Sequence, residues 1–290
     1  MTLVKQSPCK VNLLLNVLGR RADGFHELET LMHPVQLHDE LGFSRGGRGI
    51  ELTCNLASLP TGSQNLVYRA AEAFLKEAGV KEGIRLKLEK RIPLAAGLGG
   101  GSGNAALTLV GLNELFGTPL APAKIFELAK GLGSDVPFFL QERPALATGR
   151  GENIQSLDFF PALRGKSFLL VHPGFGIASA WAYQQLKRFP EALNGRPGRA
   201  QKLIELLREN DLSAVGAQFY NSLEAPALEK FPLLALFQEF FRDNGAQATL
   251  MSGSGSTTFA ITESLAASAE LLEKFRTRFG SSSWAATVPI

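Results

Sequence analysis

Five of the seven residues from Gly97 to Gly103 are glycine, within the run Pro93-Leu94-Ala95-Ala96-Gly97-Leu98-Gly99-Gly100-Gly101-Ser102-Gly103-Asn104. Glycine loses more freedom on ordering than any other residue and packs nothing in return. Such a cluster demands a chain that bends sharply there, with its backbone close to something else. Ala105 to Phe116 follows, apolar on nearly every side, and reads as a helix buried in the core and closed by Gly117. Exposed N–H groups ahead of a helix favour an anion. The leading reading is a site for nucleotide phosphate.

Two other readings fit the same residues. Glycines can simply let a helix pack close, although five of them with a serine and an asparagine exceed that need. A relaxed dinucleotide fingerprint is met by Gly101-x-Gly103-x-x-Ala106, but that fold next requires a strand ending in an acidic residue roughly 20 residues on. Here a second helix begins instead, near Pro122, and ends at Gly131 or Gly133. The P-loop pattern GxxxxGK[ST] is absent, since no lysine follows these glycines.

Elsewhere strands and helices mix without strict alternation. Strands are predicted at Val11 to Leu18, Thr30 to Leu37, Ile50 to Cys54, Ile84 to Leu88, Ser167 to Val171, Thr249 to Met251, Thr257 to Ile261 and Trp284 to Val288. Helices are predicted at Asn65 to Ala78, Ala178 to Arg188, Arg199 to Glu209, Leu233 to Asn244 and onward from Glu263. This mixture favours α+β over a doubly wound sheet. The pattern weakens from Asp158 to Gly165, where Pro161 interrupts it, which divides the chain into domains at 1–160 and 161–290.

With 45% hydrophobic and 20% charged residues, the chain has the balance of a globular protein. A net charge of +3 gives no push towards nucleic acid or an anionic membrane, and no stretch approaches a membrane span. Cys9 and Cys54 could form a disulfide or stand as two thiols, the blander reading, which goes with a cytoplasmic location. His26-Glu27 suggests HExxH zinc chemistry, but His33 lies seven residues on, off the face a zinc pair needs, and His38 and His172 show no ligand spacing. Phe138-Phe139, Phe159-Phe160 and Phe240-Phe241 suit a core or an interface better than a cofactor box.

Three segments resemble one family. Pro93-x-x-x-Gly97-Leu98-Gly99-Gly100-Gly101-Ser102, with a buried helix behind it, looks like the phosphate loop of the GHMP small-molecule kinases. Ser7-Pro8-Cys9-Lys10-Val11-Asn12 resembles their opening Pro-x-Lys-x-Asn strand, and Met251-Ser252-Gly253-Ser254-Gly255-Ser256 their second glycine loop. The resemblance implies a two-domain fold, with an N-terminal domain like domain 2 of ribosomal protein S5 and a ferredoxin-like C-terminal domain. Gly19-Arg20-Arg21-Ala22-Asp23-Gly24-Phe25-His26 is similar to the signature of one branch, in the non-mevalonate isoprenoid pathway. Asn65-Leu66-Val67, Gly133 to Phe138, Ala147 to Glu152 and Asn221-Ser222-Leu223-Glu224 agree with it. That branch implies transfer of the γ-phosphoryl group of ATP to the 2-hydroxyl of 4-diphosphocytidyl-2-C-methyl-D-erythritol. A homoserine or mevalonate acceptor, or a silent nucleotide-binding regulator, is the alternative.

The resemblance assigns roles. Pro93, Leu94, Ala95, Ala96, Gly97, Leu98, Gly99, Gly100, Gly101, Ser102 and Gly103 would wrap the triphosphate, with Asn104 at the helix start and Asn65 also on ATP. Asp135 would take the hydroxyl proton, and Lys10 would stabilise the transferring group; on spacing alone Asp135 could equally be a helix N-cap and Lys10 a surface lysine. Phe25 would stack on cytosine, His26 would bond its edge, and Tyr183 would offer a second face, or else belong to the core of its helix. Asn12, Gly253, Ser254 and Ser179 would contact the acceptor. Arg20 and Arg21 could touch a diphosphate or carry solvated charge. Mg²⁺ is implied, with Ser102 as its candidate protein contact. The family more often has tyrosine at 25 and serine at 103. A monomer or weak homodimer is expected, with no nucleic-acid or membrane partner.

Overall fold

The computed structural model describes residues 3–209 and 212–290. They form two compact units, neither contiguous in sequence. The first takes the chain through Cys9, Leu37–Ile92 and Gly99–Glu142; the second takes Lys10–Gln36, Pro93–Leu98 and Arg143–Ile290.

The first unit uses the start of β1 (Leu3–Arg20) and the end of β2 (His26–Arg45), with β3 (Ile50–Cys54), α1 (Leu66–Ala78), β4 (Ile84–Glu89), α2 (Gly100–Leu115) and α3 (Pro122–Leu132). Strand β4 pairs antiparallel with β2 and parallel with β3. Alternation sets its two faces: Ile84, Leu86 and Leu88 are buried while Arg85 and Lys87 are exposed. Helix α2 comes so close to β2 that a Cβ on Gly111 would stand 2.6 Å from Phe43 Cζ. Phe43, Phe74 and Phe138 are among the fully buried side chains of this core.

Helix α2 begins at Gly100, not near Ala105. Intrinsic propensity disfavours glycine in a helix by about 1 kcal/mol, which hid this turn from the sequence. Packing explains the residues. A Cβ on Gly103 would lie 2.7 Å from the Pro8 carbonyl oxygen, and one on Gly100 3.0 Å from Ile92.

The second unit holds the rest of β1 and β2 and β5 (Ala145–Gly149), β6 (Asn153–Ser156), β7 (Ser167–His172), α4 (Ser179–Gln185), α5 (Pro190–Leu193), α6 (Arg199–Arg208), α7 (Leu212–Val215), β8 (Tyr220–Asn221), α8 (Glu224–Lys230), α9 (Pro232–Asp243), β9 (Ala248–Met251), β10 (Thr258–Thr262), α10 (Leu265–Phe279) and β11 (Trp284–Pro289). Strand β2 pairs antiparallel with β5, and β1 pairs parallel with β8. A separate antiparallel sheet runs β11-β7-β10-β9. Numbered within that sheet the order is 4-1-3-2, and a single helix, α10, links β10 to β11. This is the ferredoxin-like arrangement. Its core includes Leu169, Val171, Phe237, Phe241, Ala260 and Phe275.

The residues from Ser252 to Thr257 join β9 to β10 and are all buried. Cys9 and Cys54 are not joined by a disulfide. No helix among the described residues is long and apolar enough to cross a membrane.

Candidate active site

The glycine run builds a concave backbone. Ala95, Gly97 and Gly99 have φ of +51°, +77° and +68°, while Leu94, Ala96 and Leu98 between them do not enter that region. Alternation of hand turns successive N–H groups towards one side, the geometry of an anion-binding nest. Ala95 holds its left-handed conformation without glycine's freedom, which costs about 1–2 kcal/mol. Helix α2 follows directly. Its N-cap, Gly99, makes no side-chain capping bond, and its first turn carries no acidic residue. The first N–H groups of a helix lack intrahelical partners and sit at the positive end of its dipole. Gly101 is exposed and Ser102 half-buried on this turn, whereas Gly103 and Asn104 are buried.

Asn104 turns inward. Its amide donates to Ser7 Oγ and Asp39 Oδ2, both at 3.0 Å, and its oxygen accepts from Lys90 Nζ at 3.2 Å. Lys90 and Asp39 form a buried ion pair, and Asp39 Oδ1 also accepts the N–H groups of Arg91 at 2.7 Å and Ile92 at 2.9 Å. This network therefore grips the backbone just before Pro93. Gly103 faces Pro8 and Ser7, so its missing hydroxyl is explained by close packing against β1. Asn65 is the N-cap of α1: its Oδ1 accepts from Val67 N–H and its amide donates to the Pro60 carbonyl. Asp135 lies in the turn after α3, one residue before Val136, the N-cap of a short 3-10 helix over Pro137–Leu140 that has no side-chain cap.

The second unit brings parts of all three glycine-loop and lysine motifs together. Lys10 is buried, its Nζ donating to Asn12 Oδ1 and, at 3.0 Å, to the Gly97 carbonyl. The Lys10 N–H donates to Leu98 O, and Thr257 N–H to Ala96 O. Ser252 Oγ donates to the same Gly97 carbonyl at 3.0 Å and accepts from Asn12 N–H at 3.2 Å. Asn12 Nδ2 donates to Thr30 Oγ1, which in turn donates to the Leu14 carbonyl. A Cβ on Gly253 would stand 3.3 Å from both Lys10 Nζ and Asn12 Oδ1. The surface-lysine reading of Lys10 is thereby corrected: an apolar strand on one side and two loops on the other enclose its ammonium. Ser179 and Ser254 hydroxyls meet at 2.9 Å.

A second group surrounds Phe25. Phe25 is 51% exposed, and its ring centroid lies 4.6 Å from the Arg150 guanidinium carbon. His26 and Tyr183 stack on each other with centroids 5.1 Å apart. That spacing leaves no room for a base between these two rings. Burial, and secondly the Arg20 charge, holds the His26 imidazole below its ordinary pKa. Arg21 is tied to Asp23 and Glu27, so it serves the turn.

Sequence reasoning gave no role to Thr30, Asp39, Lys90 or Arg150. It quoted Asn221 and Glu224 only as part of a family pattern. Asn221 Nδ2 donates to the carbonyls of Met251 and Gly253, both at 2.7 Å. An Asn three residues before a helix is a visible turn signal, and Asn221 Oδ1 indeed accepts from Leu223 N–H.

Residues 65–143 match the family model of the GHMP kinases N terminal domain, and residues 203–281 that of the GHMP kinases C terminal domain. With the phosphate nest and the buried lysine, these matches define a class: the chain belongs to the GHMP kinase family and is an ATP-dependent small-molecule kinase. Its relatives within the family include 4-diphosphocytidyl-2-C-methyl-D-erythritol kinases. It is 40% identical over 277 residues to the one from Pelotomaculum thermopropionicum, covering 95% of this chain and 94% of that one. A crystal structure of 4-(cytidine 5'-diphospho)-2C-methyl-D-erythritol kinase superposes with a TM-score of 0.79 at 34% identity, over 99% of this chain and 100% of that one. Homoserine kinase from Cytophaga hutchinsonii shares the fold, with a TM-score of 0.75 at 18% identity over 100% of this chain and 95% of that one.

Proposed function

We propose that this chain transfers the γ-phosphoryl group of ATP to the 2-hydroxyl of 4-diphosphocytidyl-2-C-methyl-D-erythritol. The observation that carries the reading is the hydrogen-bonded cluster of Lys10, Asn12, Gly97 and Ser252, which joins three family motifs around one buried ammonium. The relatives' activity and the Phe25-His26 signature supply the acceptor.

The nest from Pro93 to Gly99 and the first turn of α2 hold the triphosphate through backbone N–H groups. Asp135 accepts the proton of the attacking hydroxyl. The hydroxyl oxygen bonds to the γ-phosphorus as the bond to the β,γ-bridging oxygen breaks, and ADP leaves with that electron pair. Lys10 stabilises the charge on the transferring group. Phe25 stacks on the cytosine by the ring face opposite Arg150, His26 reads the base edge, Tyr183, stacked on His26, offers a second aromatic face, and Asn12, Ser179, Gly253 and Ser254 align the acceptor.

Among the described residues no three His, Cys, Asp or Glu side chains cluster. The ion implied by the family is Mg²⁺, which binds largely through substrate phosphates and a few protein oxygens. Ser102 Oγ would be its protein contact, and the ion would neutralise phosphate charge. The division at 160 belongs to the same reading, supported by family matches on either side of it. A cytoplasmic location goes with ATP as co-substrate. The enzyme acts on a small molecule as a monomer or weak homodimer, without nucleic acid or membrane.

The test is ADP release from ATP over a panel of alcohols, with Phe25→Ala beside the parent chain. Turnover should require the cytidylyl acceptor, and Phe25→Ala should raise its KM about tenfold with little change in kcat. ADP release with homoserine or mevalonate but not with the cytidylyl acceptor would overturn the acceptor.

A further inference from the structure

The segment Asn221 to Glu224 matches the family pattern without a role in the chemistry above. It lies against the entrance to the second glycine loop. Strand β9 is an edge of its sheet, and Met251, its last residue, pairs with Thr258 of β10 on the inner side. The N–H and C=O of one strand residue point the same way. At Met251 both are taken by side chains: the N–H donates to Glu224 Oε1 at 2.8 Å, and the carbonyl accepts from Asn221 Nδ2. The two side chains stand in for a missing neighbour strand, one residue before Ser252.

We propose that Glu224 is a positioning residue of the phosphoryl-transfer site: by holding Met251 N–H it sets where Ser252 and Gly253 meet Lys10 and Asn12. The inference rests on the reading that this loop borders the reacting groups. Ser252 touches Asn12 N–H and the Gly97 carbonyl together, so a shift of Met251 is felt at both. Glu224 is itself held from α9, where the Gln238 amide donates to the same Oε1 and Arg242 supplies the nearby charge. Burial, opposed by these three partners, pushes the carboxyl up to about 7. Charged or neutral, Oε1 still accepts, so the role is that of an acceptor and not of a charge.

The experiment compares Glu224→Ala, Glu224→Gln and, as a control of similar destabilisation, Leu272→Ala in the core beneath α10. Hydrogen exchange of the Ser252–Thr257 amides is read with kcat, KM for ATP and melting temperature. Glu224→Ala should speed loop exchange about tenfold or more and lower kcat by about ten- to a hundredfold. Glu224→Gln keeps the acceptor and should restore both to within about threefold of the parent. Leu272→Ala should lower the melting temperature alone. If Glu224→Ala does not fold, Glu224→Leu fills the volume without an acceptor and makes the same comparison. Parental loop exchange in the acceptor-free variant, unchanged kcat, or failure of Glu224→Gln would each overturn the proposal. Loop exchange needs no acceptor substrate, so an error in the assigned substrate shows separately, as absent turnover in the parent chain.

Discussion

The ammonium of Lys10 donates to the main-chain oxygen of Gly97 at 3.0 Å, fixing the first strand's buried cation against the glycine loop. The same carbonyl accepts from Ser252 Oγ, so one oxygen registers two loops and a strand. A cation held this way stabilises developing charge without reorganising at the moment of reaction.

Lys10→Met should therefore lower kcat by roughly 10²–10³ while leaving affinity for an ATP analogue within about threefold, because backbone groups hold the phosphates. Steady-state kinetics and calorimetric titration of the variant give both values. A variant with parental kcat would remove Lys10 from the chemistry.

Gly97 has φ of +77°, and a Cβ there would run into the Ser252 carbonyl oxygen, with Gly255 N only 3.0 Å away. Gly97→Ala should cost about 2 kcal/mol or more, from left-handed strain and the displaced loop. Gly131, inside α3, has nothing within 4 Å of its Cβ position and no positive φ. Gly131→Ala should add about 0.5–1 kcal/mol through helix propensity. Urea unfolding of the two variants compares them directly, and equal midpoints would contradict the close approach.

Two groups with displaced pKa values, buried His33 and half-buried Glu224, tilt the pH dependence of stability in opposite directions. Burial, opposed by the bond to the Pro34 carbonyl, holds the His33 imidazole at about 4. The unfolded chain takes up that proton near 6.5, so this contribution is full above 6.5 and lost as pH falls towards 4, about 3 kcal/mol in all. Glu224 behaves inversely. Its unfolded carboxyl ionises near 4.5 while the folded one waits until about 7. Its contribution is full below 4.5 and lost as pH rises to 7, again about 3 kcal/mol. Between 4.5 and 6.5 the two slopes oppose each other. Glu224→Gln removes one of them, so the urea midpoint of that variant should climb over this window more steeply than the parent's. His26, His38 and His172, each lowered chiefly by burial, add to the climb. A variant no steeper than the parent would refute the pairing.

Motif order picked out Lys10, Gly97 and Ser252, which the second unit joins by hydrogen bonds, because they sit in short local patterns. Periodicity likewise made β4 and α1 legible, and the ferredoxin-like half followed from the family resemblance. The rest depended on distant partners. Asp39 and Lys90 are 51 residues apart, and nothing in their spacing marks a buried pair. Strand β8 has two residues, too few for a period, and the Pro226 inside α8 disguises that helix. Strands β1 and β2 run well past their apolar centres, into mixed residues that alternation does not flag. The first turn of α2 was hidden because its glycines answer to neighbours in space, not to helix propensity.

Gly103 shows what that closeness entails. The helix rests on the Pro8 carbonyl and the Ser7 hydroxyl with no space for a single added carbon. Any larger residue at 103 must push the strand back, and Lys10 is only two residues beyond Pro8. Position 103 is thus coupled by direct contact to positions 7 and 8. A side chain added at 103 is therefore felt by the strand residues that lead into Lys10.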